Sequence, residues 1–282
     1  MSAAPNLEGG AMVVALSGWM DGGSVSTGAV EWLARQLDAR TAGEIDPSDF
    51  YLFNFPGTME FAALFRPSTR IENGRVVAYQ PPENVFACAA EQRLALFHGK
   101  EPHLLWDRFA DCVFEGARRC RIKRLYFIGS VGGAVPHTRE PRIFCTISDE
   151  ALRPELARVG VRFSNYEGPA SFSTLLFNRA PAAGLELASL VAEIPAYVQG
   201  VDPHGVEAVL RKLLALLGLQ LDLSEVRTMA THWESRINEA LADKEELSGH
   251  IRKLEEDYDN DVFDTQMGDL KIWLEQQGIR VD

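Results

Sequence analysis

The sequence predicts an α/β domain built on parallel strands and followed by a helical appendage, on three observations. Short, nearly continuous apolar runs alternate with segments of helical spacing, as expected of strands covered on both faces and of the helices that cover them. Two glycine-rich junctions, Gly18-Trp19-Met20-Asp21-Gly22-Gly23 and Gly129-Ser130-Val131-Gly132-Gly133, each follow such a run. Beyond Ser224 the pattern changes to charged helices with narrow apolar stripes. Open α/β sheets bind partners beyond the carboxyl ends of their strands, where glycine lets the backbone turn sharply, so the junctions mark a candidate crevice.

Residues 11–17 read as a buried strand and residues 24–37 as a helix, with Val25, Ala29, Trp32, Leu33 and Leu37 at helical spacing. Residues 50–55 read as a second buried strand. Residues 69–72 and 75–79 flank Asn73-Gly74, a strong signal for a two-residue hairpin turn. More strand is expected over residues 85–97. The strand-loop-helix unit then recurs, with a helix over 104–120 and a strand over 124–128 leading into the second junction. Residues 143–147 and 185–194 read as strands, and residues 170–179 as a helix. Asp202-Pro203 caps a helix that ends at Gly218, because aspartate at the cap and proline in the first turn favour initiation and glycine favours termination. The stripes Met229, Trp233, Ile237; Leu247, Ile251, Leu254, Tyr258; and Phe263, Met267, Leu270, Leu274 belong to the appendage. Trp233 and Trp273 are its candidate packing anchors. The boundary is placed at residues 221–224.

With 282 residues, 46% of them hydrophobic and 24% charged, the chain is long enough to bury a substantial core. Its 40 acidic and 28 basic side chains leave a net charge of -12, which disfavours nucleic acid and anionic membrane surfaces as partners. No apolar run approaches the roughly 18 residues of a bilayer span, and Met1 to Gly10 lacks the features of a signal peptide, so the cytoplasm is expected. Cys88, Cys112, Cys120 and Cys145 form no C-x-x-C pair and are expected to be reduced and structural.

Asp21 either binds a cation or polar ligand or stabilises the turn before the helix. The amides of Gly22, Gly23 and Ser24 make an anion site conceivable, but the loop lacks a phosphate-loop ending and a dinucleotide fingerprint. Ser130 is no hydrolase nucleophile, because Ile128 stands where the G-x-S-x-G elbow needs a small residue. His137-Thr138-Arg139 is either a rigid polar loop or a base without a secure nucleophile. Asp257-Tyr258-Asp259-Asn260-Asp261 opens like a calcium loop, yet Val262 replaces its glycine and Gly268 its final glutamate. The six histidines show no zinc spacing, so no metal and no cofactor is expected.

Four ordered segments resemble the proteasome assembly chaperone 2 family, in its bacterial branch. They are residues 15–23 (ALSGWMDGG), 129–139 (GSVGGAVPHTR), 166–169 (YEGP) and 194–198 (IPAYV), with residues 254–259 (LEEDYD) extending the likeness. The resemblance implies a three-layer αβα domain like that of the phosphorylase/hydrolase group over residues 1–223, with a C-terminal helical region over 224–282. It implies a non-catalytic, homo-oligomeric, assembly-chaperone-like protein, with trimers and proteasome subunits left open as assembly and partner. Trp19, Asp21, Gly22, Gly23, Gly132, Gly133, His137, Thr138, Arg139 and Glu167 then form the candidate ligand or partner site, and no catalytic residue is assigned. The alternative is a small-molecule-binding protein or enzyme of phosphorylase or hydrolase type using both glycine loops.

Overall fold

The computed structural model describes residues 5–276, apart from the side chains of residue 266 and residues 268–276. The expected contributions of Leu270, Trp273 and Leu274 lie outside the described side chains. β1 (Ala11–Ser17) leads into α1 (Val25–Gln36) and β2 (Arg40–Glu44). An excursion carries the short α2 (Met59–Ala63) and a hairpin of β3 (Ser68–Glu72) and β4 (Arg75–Gln80). β5 (Val85–Ala89) and β6 (Leu94–Lys100) return to the sheet, and α3 (Trp106–Arg119) crosses to β7 (Arg124–Gly133). β8 (Ile143–Cys145), α4 (Arg153–Arg158), β9 (Arg162–Phe163), α5 (Phe172–Arg179) and β10 (Glu186–Pro195) follow. α6 (Pro203–Leu217), α7 (Ser224–Leu241) and α8 (Glu245–Gln276) complete the chain.

The strands form an eight-stranded mixed sheet in the order β2-β5-β6-β1-β7-β10-β8-β9, with β3 and β4 as a separate two-stranded sheet. β6, β1, β7 and β10 run parallel at its centre, so their carboxyl ends share one edge. Side-chain alternation along β1 separates two cores. Val13 and Ala15 pack with α1 and α6 on one face, and Met12, Val14 and Leu16 pack with α3 and α5 on the other. This is the three-layer α/β architecture that the sequence predicts. Local signals were specific where the backbone demanded them. Asn73 and Gly74 take φ of 48° and 77° at the hairpin turn. The Asp202 carboxylate accepts from the His204 and Gly205 amides, and Gly218 ends α6 at φ 66°.

Three expectations need correction. Residues 50–55 form no strand: Phe50 follows a 3-10 turn at Pro47–Asp49, and its carbonyl accepts from the His103 and Leu104 amides. Tyr51 is fixed by its hydroxyl, which lies 2.7 Å from Asn84 Oδ1 and 2.6 Å from the Lys100 carbonyl oxygen, so side-chain anchoring replaces a ladder. Residues 129–133 are no loop, because β7 continues through them in register with β10 as far as the Gly133–Pro195 pair. On α7 the packed residues are Val226 and Ala230, with Trp233 and Ile237 half-buried, while Met229 turns outward.

All four cysteines are free thiols, three of them buried. Among the described residues no helix is long and apolar enough to cross a membrane.

Gly116 of α3 shows how tightly the layers approach. A Cβ there would stand 2.4 Å from Cε1 of Phe86, whose ring is buried against Phe97 and would have to shift. Gly116→Ala should therefore destabilise the protein by about 1–3 kcal/mol, despite alanine's better helix propensity. Gly249→Ala on α8 meets nothing within 4 Å and should stabilise by about 0.5–1 kcal/mol. Urea unfolding of both variants measures this opposite pair of signs.

Candidate functional site

The two glycine junctions meet at the carboxyl edge. Asp21 bridges Ser130 in parallel fashion, the Ser130 amide donates to the Met20 carbonyl at 2.8 Å, and its hydroxyl donates to the Gly22 carbonyl at 2.6 Å. Asp21 stabilises the start of α1 by accepting from the Thr27 amide at 3.1 Å and the Thr27 hydroxyl at 2.8 Å. Burial nevertheless raises its carboxyl above the ordinary range. A Cβ on Gly22 would stand 3.1 Å from the Ile194 side chain, and one on Gly23 2.7 Å from Asp202 Cβ. The Asp202 amide donates to the Gly23 carbonyl at 2.8 Å, and burial raises the Asp202 carboxyl as well. The first junction thus packs against β10 and the start of α6, with a carboxylate beside it.

The second junction has a different use. Gly132 faces Ala196, and at Gly133 a Cβ would lie 2.2 Å from Glu193 Oε1, so glycine makes room for that carboxylate. Glu193 accepts from Arg142 Nη1 at 3.2 Å, and both side chains are largely buried. Arg142 reaches Asp261 at 2.9 Å through Nη2, and its guanidinium lies 4.3 Å from the Tyr258 ring centre. Arg139 holds Asp259 with two hydrogen bonds of 2.8 and 2.9 Å, and Thr138 donates to Glu255. Tyr258 donates to the Glu140 carbonyl at 2.8 Å, and Arg162 donates to Asp261 at 2.6 Å. The acidic run of α8 is therefore a helical face docked on arginines.

His137 is 1% exposed and tied to two other segments, the loop after β10 and α7. Its amide and Nδ1 each lie 2.8 Å from the Tyr197 hydroxyl, and Nε2 lies 3.0 Å from Asn238 Oδ1 on α7. One assignment satisfies every group: the His137 amide donates to the hydroxyl, the hydroxyl donates to Nδ1, and Nε2–H donates to Asn238. Burial raises the Tyr197 hydroxyl above its ordinary range, which keeps it a proton donor. Trp233 packs edge-on against His137 and His204 at 6.3 and 6.5 Å between ring centres.

The remaining candidates lie apart from this clamp. Trp19 is 68% exposed, with its amide donating to Glu101 Oε2 at 2.9 Å, while Glu101 Oε1 accepts from the Phe172 amide at 2.9 Å. Glu167 sits in an exposed loop and forms no hydrogen bond or ion pair among the described residues. No three metal-ligating side chains gather among the described residues. Sequence reasoning missed Glu101, Arg142, Tyr197 and Asn238 as functional positions. Tyr197 stood within the 194–198 segment, and the spacing of Glu255 and Asp259, four residues apart on one helix face, pointed to a cationic partner for α8.

The α8 dock should respond to salt and acid. Hydrogen bonds from Arg139 and Arg162 hold the Asp259 and Asp261 carboxyls below the usual range. Their contribution is complete above the ordinary carboxylate pKa and is lost as pH falls through the depressed folded values. Amide hydrogen exchange should therefore show α8 losing protection before the central strands as pH drops through that range, and also as salt rises toward 1 M. The buried pair behaves differently. Arg142→Leu should cost about 3 kcal/mol by leaving Glu193 buried and unpaired, and adding Glu193→Leu should recover part of that loss in thermal unfolding.

No curated protein sequence matches the chain. Among solved structures, it is similar to the Mycobacterium tuberculosis protein of unknown function Rv2714, at 24% identity and TM-score 0.82, covering 96% of this chain and 90% of that one. It is similar to the Mycobacterium tuberculosis proteasome-assembly chaperone homologue Rv2125, at 24% identity and TM-score 0.74, covering 86% and 99%. A PAC2 family protein from Streptomyces avermitilis shares 26% identity and TM-score 0.70, covering 85% and 98%. The PAC2 family model matches residues 15–241, from β1 to the end of α7, and the chain therefore belongs to the PAC2 family.

Proposed function

We propose that this PAC2 protein is a non-catalytic, cytoplasmic, self-associating protein-binding factor of assembly-chaperone type, with proteasome subunits among its partners. In this reading residues 1–223 carry the binding surface, and residues 224–282 form a helical appendage on it. The observation that carries the reading is the use made of the carboxyl edge. Asp21, His137, Thr138 and Arg139 are engaged within the chain, while large apolar side chains along the same edge face solvent.

Trp19 follows β1, Leu104 and Leu105 follow β6, and Tyr166 precedes α5; all are exposed. Lys100 Nζ donates to the Leu64 carbonyl at 3.4 Å, bringing the excursion and its exposed Met59, Phe61 and Leu64 to the same rim. Exposed apolar surface of this kind, rimmed by polar residues, marks protein contacts in soluble chains. The kinship with Rv2125, a proteasome-assembly chaperone homologue, supports the same class of role. The competing small-molecule reading needs open glycine loops, and the packing of Gly22 and Gly23 against Ile194 and Asp202 counts against it.

Affinity capture of the tagged full chain from its own host, with light scattering of the purified protein, tests the proposal. Wild type should recover proteasome subunits and measure as an oligomer. Trp19→Glu with Met59→Glu should reduce capture at least tenfold without lowering the melting temperature, because both side chains are exposed. A monomer that recovers no protein partner refutes the reading.

A further inference from the structure

A groove of about 540 Å³ lies between the loop after β10 and helix α7, and Trp19 is not among its lining residues. Its loop wall is Tyr197, Val198, Gln199 and Val201, and its helix wall includes Trp233, Ile237 and Leu241. The clamp described above holds these walls at a fixed separation. His137 bonds Tyr197 on one wall and Asn238 of α7 on the other, and Trp233 packs against its ring. The groove is preformed by a buried, fully hydrogen-bonded side chain.

Two cations bracket the apolar floor. Arg236 stands on α7 and Lys244 in the turn beyond it, and neither has a carboxylate within 4 Å among the described residues. Against the chain's net charge of -12, the groove places two cations free of ion pairs among the described residues beside an apolar floor, a lining that complements carboxylates. Arg236 and Leu241 are about 8 Å apart along the helix axis, and Lys244 follows in the turn beyond, so Arg236 and Lys244 enter the groove lining at separate points along its helix wall. On the loop wall the amides of Gln199 and Val201 donate to no group among the described residues.

We propose that this groove binds an extended peptide segment of another protein, apolar at its centre and carrying a carboxylate toward each end. At about 3.3 Å per residue, carboxylates three or four residues apart in an extended strand span the two cations. Apolar side chains between them lie on Val201, Ile237 and Leu241, and the loop amides meet peptide carbonyls. The pattern is that of peptide capture along a groove, with main-chain bonds supplying affinity and flanking pockets and charges supplying selection.

The test is fluorescence anisotropy of the full chain with a fluorescein-labelled, capped Glu-Val-Leu-Val-Glu peptide, and with Lys-Val-Leu-Val-Lys as control. Saturable binding of the acidic peptide is expected, weakened at least fivefold by Arg236→Glu with Lys244→Glu and at least fivefold by Val201→Asp. The milder Arg236→Gln with Lys244→Gln should weaken it in the same direction, and rising salt should do likewise. The altered residues are on the surface, so unchanged melting temperatures are expected to accompany these losses. Absent binding, equal binding of the lysine peptide, or indifference to the charge reversals overturns the proposal. Dissociation of a self-associated species by Arg236→Glu with Lys244→Glu, in the absence of peptide, also overturns it by assigning the groove to a second copy. None of these readouts involves Trp19 or Met59, so failure here and failure of the capture experiment are distinguishable.

Discussion

The parallel pairing of β7 with β10 is the constraint on which the rest of the carboxyl edge depends. It runs from the Arg124–Glu186 pair to the Gly133–Pro195 pair, beyond the point where β1 leaves regular pairing with β7 at Ile128. Continuing the ladder that far satisfies the backbone of a glycine-rich segment that would otherwise need water or side chains. It also sets the loops after β7 and β10 side by side. Gly133 leaves the volume into which Glu193 folds, and Glu193 in turn compensates the largely buried Arg142.

From that point the electrostatics organise the appendage. The chain is acidic overall, yet Arg139, Arg142 and Arg162 gather where the acidic face of α8 lands. Exposed ion pairs contribute little individually, so the dock draws on several features together: a bidentate arginine, a guanidinium over the Tyr258 ring and a largely buried pair beneath. His137, itself buried, adds a hydrogen-bonded bridge to Asn238 on α7. Polar residues that resemble a catalytic set in sequence thus hold helices to a sheet and shape a groove beside them.

The contrast between paired and unpaired groups divides the edge by use. Asp21 is half-buried and Asp202 buried at helix starts, where backbone amides receive them, although Oδ2 of Asp202 has no partner among the described residues. Trp19 and the exposed side chains of the excursion have no such internal role. The separate β3–β4 hairpin likewise leaves Ile71, Val76, Val77 and Tyr79 exposed.

Local periodicity determined the strands β1, β5, β6, β7 and β10, the helices α1, α3 and α6, the Asn73-Gly74 turn and the caps at Asp202 and Gly218. These are properties of neighbouring residues: side-chain alternation, helical spacing and the conformational freedom of particular turn positions. Ordered motifs also identified the family. Residues 50–55 were misread because apolarity alone does not distinguish a ladder from a segment anchored by Tyr51 and Phe50. The glycines of 129–133 were misread because their strand partner lies more than fifty residues away. Tertiary structure alone decided that His137 bonds Tyr197 and Asn238, that Arg142 compensates Glu193, and that the acidic run of α8 meets arginines. Those choices depend on which groups the sheet order brings together at hydrogen-bonding distance, and spacing along the chain does not carry that information.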